Sequence, residues 1–466
     1  MHLRAGSLAY RCQVTLLGLI IAAAFLCLQT ACGGASEGSH IITQPPPPPP
    51  AGSVPITFFA VNDTTPTDAP QNYGLNYGTL GHPVPLAWQT IEAGGSGSFD
   101  FSQFDGFAEN VAPKDANGTA LMVMTLGMTP PWATSDTSTC RTGSGTSGCT
   151  APPTNISDWT TFIQALVNHY NGTTAPHIKY YEIWNEADPN SEYWTGTAQQ
   201  LEQLAAAAYP IIKTDPYSQV VTPSMAGNVY STGPFATIPF LTAYFNAGGN
   251  QFADAVSFHG FVYNLNYVPY PLPTQDCSGS DSNCGGPIMA QVQAYRNLMD
   301  SFGMNNMPLL NTEGGFEDAT ISNADTAAAW LAQYYALQAS MYNTYDIAMV
   351  SWFTWGATDG QLENNNVLTN VGVAYNQVSN WVVDRNLASP CSAPTGTVWT
   401  CAMTGSNGYQ AEIIWDSSQT CSNGVCTTSA QSVASTYTSY LDLSGNSTPI
   451  SGGTVQVGLK PILLQN

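Results

Sequence analysis

Positive charge is the property that this 466-residue sequence has least of. Lysine and arginine together number 9, against 31 aspartates and glutamates, which gives a formal net charge of −22. No arginine occurs between Arg11 and Arg141. A surface field of this sign repels nucleic acid and anionic lipid, so the composition excludes a nucleic-acid-binding protein and a protein held on a membrane by surface charge.

Two sequence patterns are also absent. No glycine-rich phosphate fingerprint follows any of the predicted strands, which argues against a nucleotide-binding, doubly wound sheet. No internal repeat is visible, which argues against a repeat array. A chain of 466 residues can instead form one large domain of about 250–300 residues with a smaller one beside it.

The N-terminus has the form of an export signal. Arg4 and Arg11 precede an apolar run over 14–28, which is too short for a comfortable membrane-spanning helix. The run ends in Leu-Gln-Thr-Ala-Cys-Gly-Gly, which resembles the end of a bacterial lipoprotein signal, where the cysteine (here Cys32) is lipidated and becomes the first residue. Gln29 stands where such signals usually have leucine, so simple cleavage of the signal stays open.

Cysteine spacing supports export independently. Of 11 cysteines, two lie in the signal and Cys32 takes the lipid position, and the remaining ones form sequence-close pairs. These pairs are Cys140/Cys149, Cys277/Cys284, Cys391/Cys401 and Cys421/Cys426. An even set of local pairs in an exported chain predicts disulfides that staple loops. No pair is accompanied by the histidine or second cysteine pair that a zinc site would need.

Short apolar segments alternate with helical patterns through most of the chain. Strands are predicted at 56–61, 77–80, 121–126, 180–183, 219–222, 255–258, 309–311 and 348–353. Helices are predicted at 157–170, 198–213, 288–302 and 324–342, the first with Ser157 as its N-cap. Strands separated by helices in this number favour an α/β fold with a closed, parallel (β/α)8 TIM barrel. The first strand–helix unit is irregular, and its helix has no clear signal.

The predicted order has four parts. They are a signal peptide over 1–31, a Pro-rich spacer over 32–53, the barrel over 54–376 and an antiparallel β domain over 377–466. The spacer contains six consecutive prolines and is expected to be stiff, which would hold a domain away from a membrane surface. The β domain is predicted from short strands at 397–403, 409–415, 436–441 and 454–459, with turn signals such as Asn407-Gly408 between them.

Polar and aromatic residues follow the ends of several predicted strands. They are Trp132 after strand three, Asn185 and Glu186 after strand four, His259 after strand six, Glu313 after strand seven and Trp355 after strand eight. In a parallel barrel these ends share one rim, so the side chains are expected to meet there. A buried carboxylate is costly unless it is paired, which places Glu186 at a cleft.

Two carboxyl groups on one rim can split a glycosidic bond. At a separation of about 5–5.5 Å, one carboxyl group attacks the sugar and the other protonates the leaving oxygen, and the configuration is retained. A wider gap admits a water molecule that attacks instead, and the configuration is inverted. His259 could keep the nucleophile ionised, and Asn185 could hydrogen-bond the sugar 2-hydroxyl. Trp132 and Trp355 could supply flat apolar platforms under sugar rings. Each of these three aromatic or imidazole side chains could equally be ordinary core.

The motifs resemble those of a known group of enzymes. Ile183-Trp184-Asn185-Glu186 and Asn311-Thr312-Glu313 are similar to the strand-four and strand-seven signatures of a clan of retaining glycoside hydrolases with a (β/α)8 barrel. Thr129-Pro130-Pro131-Trp132-Ala133 and the terminal β domain look most like the family-39-type members, the β-xylosidase and exopolysaccharide-hydrolase relatives. The likeness covers roughly 74–466. It implies that Glu186 is the acid/base and Glu313 the nucleophile.

The sequence departs from that clan in one place that matters. Many members carry an arginine at the end of strand two that contacts the nucleophile, and here the segment reads Gly78-Thr79-Leu80-Gly81-His82-Pro83. Either His82 replaces the arginine or the role is unfilled, and His82 is also a candidate contact for the substrate. Ala187, where proline is more usual, indicates a divergent subgroup. Glu182 is expected to face the helices or solvent, because alternation sets it opposite to Ile183.

These observations predict an exported retaining glycosidase of the bacterial cell envelope, anchored by lipid at Cys32, or an extracellular one. It would act as a monomer on a β-linked poly- or oligosaccharide and need neither metal nor organic cofactor. Its partner is the carbohydrate, with no nucleic acid and no membrane contact except through the lipid. Two alternatives stay open: a non-catalytic carbohydrate-binding barrel lipoprotein, favoured by the missing arginine, and a transglycosylase that uses the same two glutamates.

Overall fold

The computed structural model describes residues 51–466, except 64, 84–85, 143–146, 189–192, 227–228, 230–235, 263–286, 317–320, 322, 357–360, 395 and 423. The predicted signal peptide, Cys32, the proline run and the predicted Cys277–Cys284 pair therefore lie outside the described residues. Pro47–Asn466 forms one compact unit.

Eight parallel strands form a barrel wall, as the sequence predicts. They are β1 Phe59–Val61, β2 Thr79–Leu80, β3 Ala120–Thr125, β4 Ile178–Glu182, β5 Gln219–Val221, β6 Val256–Phe261, β7 Leu309–Gly315 and β8 Ile347–Trp352. Neighbours are hydrogen-bonded in the order β5-β4-β3-β2-β1-β8-β7-β6. The two ends of this row meet where Val221 forms a parallel bridge with Ala255, just before β6. The sheet thus closes, and the carboxyl ends of the strands form one rim.

Small and branched side chains fill the interior of the barrel. One buried cluster is contributed by Ala60, Val123, Val221, Ala255, Leu310 and Met349, with Tyr180 and Ala348 packed against it. A far larger cluster contains the apolar side chains that lie between strands and helices, such as Trp159 and Leu331. Alternate residues of each strand therefore face two different cores, and both cores hold the rim in place.

Helices lie between the strands, and four of those that the structure describes were predicted, over 157–170, 198–213, 288–302 and 324–342. They are α1 Ala87–Ile91, α2 Ser102–Gly106, α3 Ile156–His169, α4 Ala198–Ile212, α5 Thr237–Asn246, α6 Ile288–Ser301, α7 Ala324–Ser340, α8 Tyr342–Tyr345 and α9 Asn370–Val382. The prediction of Ser157 as an N-cap was wrong, because α3 begins one residue earlier and Asn155 is its cap. The sequence missed α5, whose first turn contains Pro239 and whose aromatic, β-branched composition lacks a polar face.

A second layer of antiparallel strands follows the barrel. They are β9 Val398–Thr404, β10 Gln410–Asp416, β11 Thr428–Ser432, β12 Ser439–Leu441, β13 Ser447–Pro449, β14 Thr454–Gly458 and β15 Ile462–Gln465. Five form a sheet in the order β9-β10-β15-β12-β13, and β11 pairs with β14. The layer contacts α7 through a hydrogen bond from Gln333 to the Leu459 carbonyl at 2.8 Å and an ion pair between Lys460 and Asp325 at 2.9 Å.

The fold class is therefore confirmed as a TIM barrel with a small antiparallel β region. The proposed boundary between 376 and 377 falls inside α9, so the division into domains stays a prediction. Three predicted disulfides are present, Cys140–Cys149, Cys391–Cys401 and Cys421–Cys426. Within the described ranges, no helix combines the length and the apolar character that a membrane crossing requires.

Candidate active site

Glu186 lies in the loop that follows β4, and neighbouring loops hold it there. Its backbone φ is 40°, in the left-handed region that a residue with a Cβ rarely adopts. The backbone N–H of Glu186 donates to Ser224 Oγ at 3.1 Å, and the N–H of Ala187 donates to the Ser224 carbonyl at 2.9 Å. Asp188 is buried and accepts hydrogen bonds from the Ala226 N–H at 3.1 Å and Thr237 Oγ1 at 3.0 Å. The loop after β5 thus fixes the strained position of Glu186.

Glu313 lies inside β7, at an irregularity of the sheet. Phe258 pairs with Asn311 and His259 pairs with Glu313, so that β7 carries one extra residue, Thr312, between two consecutive pairs. Such a bulge changes the direction in which a side chain points, and it occurs often beside active sites. His259 and Glu313 become direct neighbours across β6 and β7.

One imidazole joins the two predicted catalytic glutamates. His259 Nδ1 lies 2.8 Å from Glu186 Oε1 and 3.4 Å from Glu313 Oε2. The two carboxylate oxygens are therefore no more than about 6.2 Å apart, the sum of those two contacts. The side chains of Glu186 and Glu313 keep 17% and 11% of their surface exposed, so solvent reaches both. The expectation that these residues meet at one rim holds.

His82 completes the group from the end of β2. Its Nε2 is hydrogen-bonded to Glu313 Oε2, and its ring lies parallel to that of His259, with centroids 5.7 Å apart and planes 7° apart. His82 is 2% exposed. The sequence offered His82 as a substrate contact or as the replacement for the missing arginine, and the structure places it against Glu313, where the arginine would be expected.

Gly81 lets the backbone before His82 pass close to neighbouring side chains, where a residue with a Cβ would have no space. A Cβ added to Gly81 would lie 2.0 Å from Asn62 Oδ1 and 2.1 Å from Ser351 Oγ, two buried side chains. We expect Gly81→Ala to lower the free energy of unfolding by about 1–3 kcal/mol and to reduce activity by moving His82. Urea denaturation and kcat/KM test this prediction. The matched control is Gly127→Ala after β3, where the added Cβ would meet Leu86 at an ordinary 3.5 Å; equal losses in both variants would contradict it.

The electrostatics of the site shift the pKa values of the two glutamates in opposite directions. Burial raises the pKa of Glu186, and the hydrogen bond and charge of His259 offset this only in part. Burial also raises the pKa of Glu313, but the charges of His259 and His82 outweigh it and hold the pKa below its usual value. Burial lowers the pKa of His259, yet Glu313 and Glu186 raise it to about 9. Two carboxyl groups with opposite pKa shifts are suited to the roles of acid and nucleophile.

Glu182 corrects one expectation from the sequence. It was expected to face helices or solvent, but it is 0% exposed and accepts hydrogen bonds from Thr125 Oγ1 and Thr312 Oγ1, both at 2.8 Å. Tyr180, two residues earlier, packs against the cluster inside the barrel, whereas Ile183 belongs to the cluster under the helices. The alternation was right and the assignment of the two faces was reversed. A buried carboxylate therefore lies inside the barrel and is hydrogen-bonded to the bulge residue.

Glu182→Gln tests what this buried charge does. The charge of Glu182 contributes to the raised pKa values of His82 and His259, so the variant should lower the pKa of His259 from about 9 toward 6.5. Protonated His259 stabilises the fold fully below pH 6.5, and this contribution is lost as pH rises through about 9. In the variant, we expect the stabilisation by protonated His259 to be lost at a lower pH. The alkaline limb of the kcat/KM profile should shift to lower pH as well.

The control for that experiment is Glu92→Gln. Glu92 is also buried and hydrogen-bonded, to the Trp88 indole at 2.8 Å and the Gly97 N–H at 2.7 Å, but its pKa responds to none of the groups at the rim. The alkaline parts of the kcat/KM and urea-stability profiles should be unchanged in Glu92→Gln, because Glu92 does not act on His259. An unshifted alkaline limb in Glu182→Gln would contradict the electrostatic role.

The other predicted contacts have different surroundings. Asn185 is buried, and its Oδ1 accepts no hydrogen bond within the described part of the chain, which leaves an acceptor for a ligand hydroxyl. Trp132 is half-buried and its indole N–H donates to the Glu92 carbonyl at 2.8 Å. Trp355 is 1% exposed and packs against Tyr73 at 5.6 Å, so it has no open face and cannot form the platform that the sequence suggested.

Sequence reasoning missed Ser224 and gave no role to Asp188. Ser224 is a polar residue shortly after predicted strand five, the same signal that identified the other strand ends, and it could have been found that way. Asp188 stands two residues after Glu186 in the sequence. Its partners Ala226 and Thr237 come from an adjacent loop and from a helix that the sequence did not predict, so its task could not be inferred.

Comparison with known proteins places the fold. No protein-family model matches the sequence, and no curated protein is similar to it in sequence. Among solved structures, a GH39 enzyme from Xanthomonas axonopodis pv. citri is 16% identical with a TM-score of 0.56, over 89% of this chain and 95% of that one. A monomeric β-xylosidase from Caulobacter crescentus CB15 is 14% identical with a TM-score of 0.58, over 90% and 97%. A GH30 endoxylanase from Clostridium papyrosolvens C71 is 13% identical with a TM-score of 0.53, over 89% and 97%.

These similarities span both the barrel and the β region, and they confirm the fold that the resemblance implied. The whole length of each neighbour is nearly covered, so the likeness is to complete enzyme folds of this type. At identities of 13–16% it is the fold that is shared.

Proposed function

We propose that this protein is a retaining glycoside hydrolase that acts on a β-linked poly- or oligosaccharide by double displacement. The observation that carries the proposal is the contact of one imidazole nitrogen, His259 Nδ1, with both Glu186 and Glu313. It keeps the nearest carboxylate oxygens within about 6.2 Å of each other, which is compatible with the separation of about 5–5.5 Å between the carboxyl groups of a retaining pair. A direct attack by one carboxylate fits this gap.

Each glutamate has the environment that its step needs. Glu313, kept ionised by His82 and His259, attacks the anomeric carbon and forms a glycosyl-enzyme ester. Glu186, whose raised pKa favours the protonated form, gives its proton to the leaving oxygen. Glu186 then takes a proton from the water that cleaves the ester, which restores both carboxyl groups. Every proton moves between Glu186 and the substrate or water, so the cycle requires no metal or organic cofactor.

Asn185 is the proposed contact for the sugar 2-hydroxyl. Its buried Oδ1, without a partner in the described ranges, could accept a hydrogen bond from that hydroxyl, and such a contact strengthens in the transition state. Trp132 remains a candidate for stacking under a sugar ring because its ring is only half-buried. We do not assign this role to Trp355.

The position of His82 favours catalysis over a barrel that only binds sugar. That alternative drew its support from the missing arginine of strand two. A protonated histidine hydrogen-bonded to Glu313 provides a positive charge and a donor at the nucleophile, which is what that arginine would supply.

The experiment is an activity screen followed by proton NMR of the first product. Xylosides and xylan come first, because neighbours of this fold are described as a β-xylosidase and an endoxylanase, followed by glucans, mannans and bacterial exopolysaccharides. We expect hydrolysis with the β-anomer formed first. Formation of the α-anomer from a β-linked substrate would contradict the mechanism, absence of any hydrolysis would favour the binding protein, and dominant transfer to sugar acceptors would indicate a transglycosylase.

We also propose export, a lipid at Cys32, a rigid spacer over 32–53 and a barrel and β domain divided near 376. The disulfides Cys140–Cys149, Cys391–Cys401 and Cys421–Cys426 support an oxidising compartment. Cys32→Ala should move the protein from the membrane fraction to the soluble fraction of cells that process lipoproteins. An unchanged distribution would mean that Cys32 carries no anchor.

A further inference from the structure

We infer that the same rim is a binding site for a divalent transition-metal ion such as Zn²⁺, held by His82, His259 and Glu313, and that the ion inhibits the enzyme. The inhibition rests on the proposed function, whereas the binding does not. The ion is an inhibitor and not a cofactor, so the metal-free cycle proposed above is unaffected.

The ligand atoms are already close together. One ring nitrogen each of His82 and His259 and a carboxylate oxygen of Glu313 lie within 4.8 Å of one another. Glu186 Oε1, 2.8 Å from His259 Nδ1, is a fourth donor. In a tetrahedral zinc site with bonds of about 2.0–2.1 Å, neighbouring ligand atoms are roughly 3.4 Å apart. The contacts of 2.8 and 3.4 Å at His259 therefore need only small side-chain movements to accept the ion.

The donor types and the charge select the kind of ion. Two imidazoles with carboxylates suit zinc, copper or nickel, whereas calcium and magnesium prefer oxygen ligands alone. Glu186 and Glu313 contact His259, and the charges of Glu182 and Asp188 also act on it, so that carboxylates outnumber imidazoles here. A dication replaces the positive charge that the two imidazoles give up when they bind it, so the buried carboxylates stay compensated.

Binding has defined consequences for the atoms involved. His82 and His259 bind the ion as neutral imidazoles through Nε2 and Nδ1, with their remaining ring protons on the other nitrogens, and any displaced protons pass to solvent. The ion occupies the lone pairs of Glu313 that would attack the sugar. Substrate and metal therefore compete for the same carboxylate.

The test uses the full-length protein, stripped with a chelator and titrated in two ways. Isothermal calorimetry measures Zn²⁺ binding, and Co²⁺, a spectroscopic substitute for Zn²⁺, reports a tetrahedral site through its visible absorption. We expect one ion per chain, displacement of Co²⁺ by Zn²⁺, and loss of hydrolysis that added substrate reverses. Absence of binding to the wild-type chain would overturn the inference.

Variants identify the ligands. His82→Gln and His259→Gln should each weaken binding by about tenfold or more, and circular dichroism shows which of them is folded. His177→Gln is the matched control, because this histidine pairs with Asp215 at 2.8 Å outside the metal-ligating group. Binding that survives in a folded His82 or His259 variant, or is lost equally in His177→Gln, overturns the assignment. If the protein binds zinc but cleaves no glycoside, the metal site is supported and the proposed enzymatic function is contradicted.

Discussion

Replacing Glu313 by glutamine is expected to lower kcat by on the order of 10³-fold or more on every substrate that the protein cleaves. The amide keeps the shape of the side chain and its place beside His82 and His259, but it cannot form the glycosyl ester. The decrease in kcat should be similar for substrates with good and with poor leaving groups, since attack by Glu313 is part of the transition state for both. Steady-state kinetics on one aryl glycoside and one natural oligosaccharide measure it.

The control for this experiment is Glu92→Gln, a buried glutamate that is hydrogen-bonded to the Trp88 indole and lies outside the contact group at the rim. It should retain wild-type kcat. Turnover by Glu313→Gln near the wild-type level, with a folded protein by circular dichroism, would remove Glu313 from the mechanism.

The second large effect is expected at Glu186, and it should depend on the leaving group. Glu186→Ala removes the proton donor, so cleavage of sugars with a poor leaving group should fall by about 10²–10⁴-fold. An activated aryl glycoside, whose phenolate leaves without a proton, should lose much less in the first step. Azide, a nucleophile that needs no general base, should then restore turnover of the aryl substrate by attacking the ester on Glu313.

Comparison of kcat/KM across aryl glycosides of increasing leaving-group pKa makes this prediction quantitative. The slope should be steep in Glu186→Ala and shallow in the wild type. An equal loss for all leaving groups would show that Glu186 holds the structure of the rim but does not act as the acid. Its left-handed backbone and its hydrogen bond to Ser224 make this a real alternative, which the slope decides.

The histidine pair has a consequence for pH that an arginine at this position would not have. An arginine stays charged at all ordinary pH values, whereas His259, with a pKa of about 9, loses its charge in the alkaline range. Activity should therefore decline as pH rises through about 9, because His259 then loses the positive charge and the donated hydrogen bond beside Glu186 and Glu313, although Glu313 itself stays ionised. We expect a site without the arginine to keep the chemistry over this narrower pH range.

The rim itself could be predicted because its logic is local. Each barrel strand is a short apolar run that ends in a polar or aromatic residue, and parallel strands bring their ends together. Glu186 and Glu313 could be paired on this basis although 127 residues separate them. His259 followed from the same pattern.

Features that depend on strand register and on packing between distant segments could not be predicted from the sequence. The face of Glu182 was assigned wrongly because alternation gives two equivalent choices, and the choice is made by which side chains the other strands place inside the barrel. The bulge at Thr312, which aligns Glu313 with His259, has no sequence signal of its own. The burial of Trp355 against Tyr73 likewise depends on the connection between β1 and β2, which is far from Trp355 in the sequence.

The pairing of Glu186 with Glu313 as acid and nucleophile is tested most directly by trapping the ester. The substrate found in the activity screen is converted into a 2-fluoro glycoside with an activated leaving group, which slows release of the sugar from the enzyme. Intact mass and peptide mapping should show one glycosyl unit on Glu313, and labelling of Glu186→Ala should be slowed little because the activated leaving group needs no proton. A label on any other residue, or turnover of the natural substrate by a protein that is never labelled, would contradict the account.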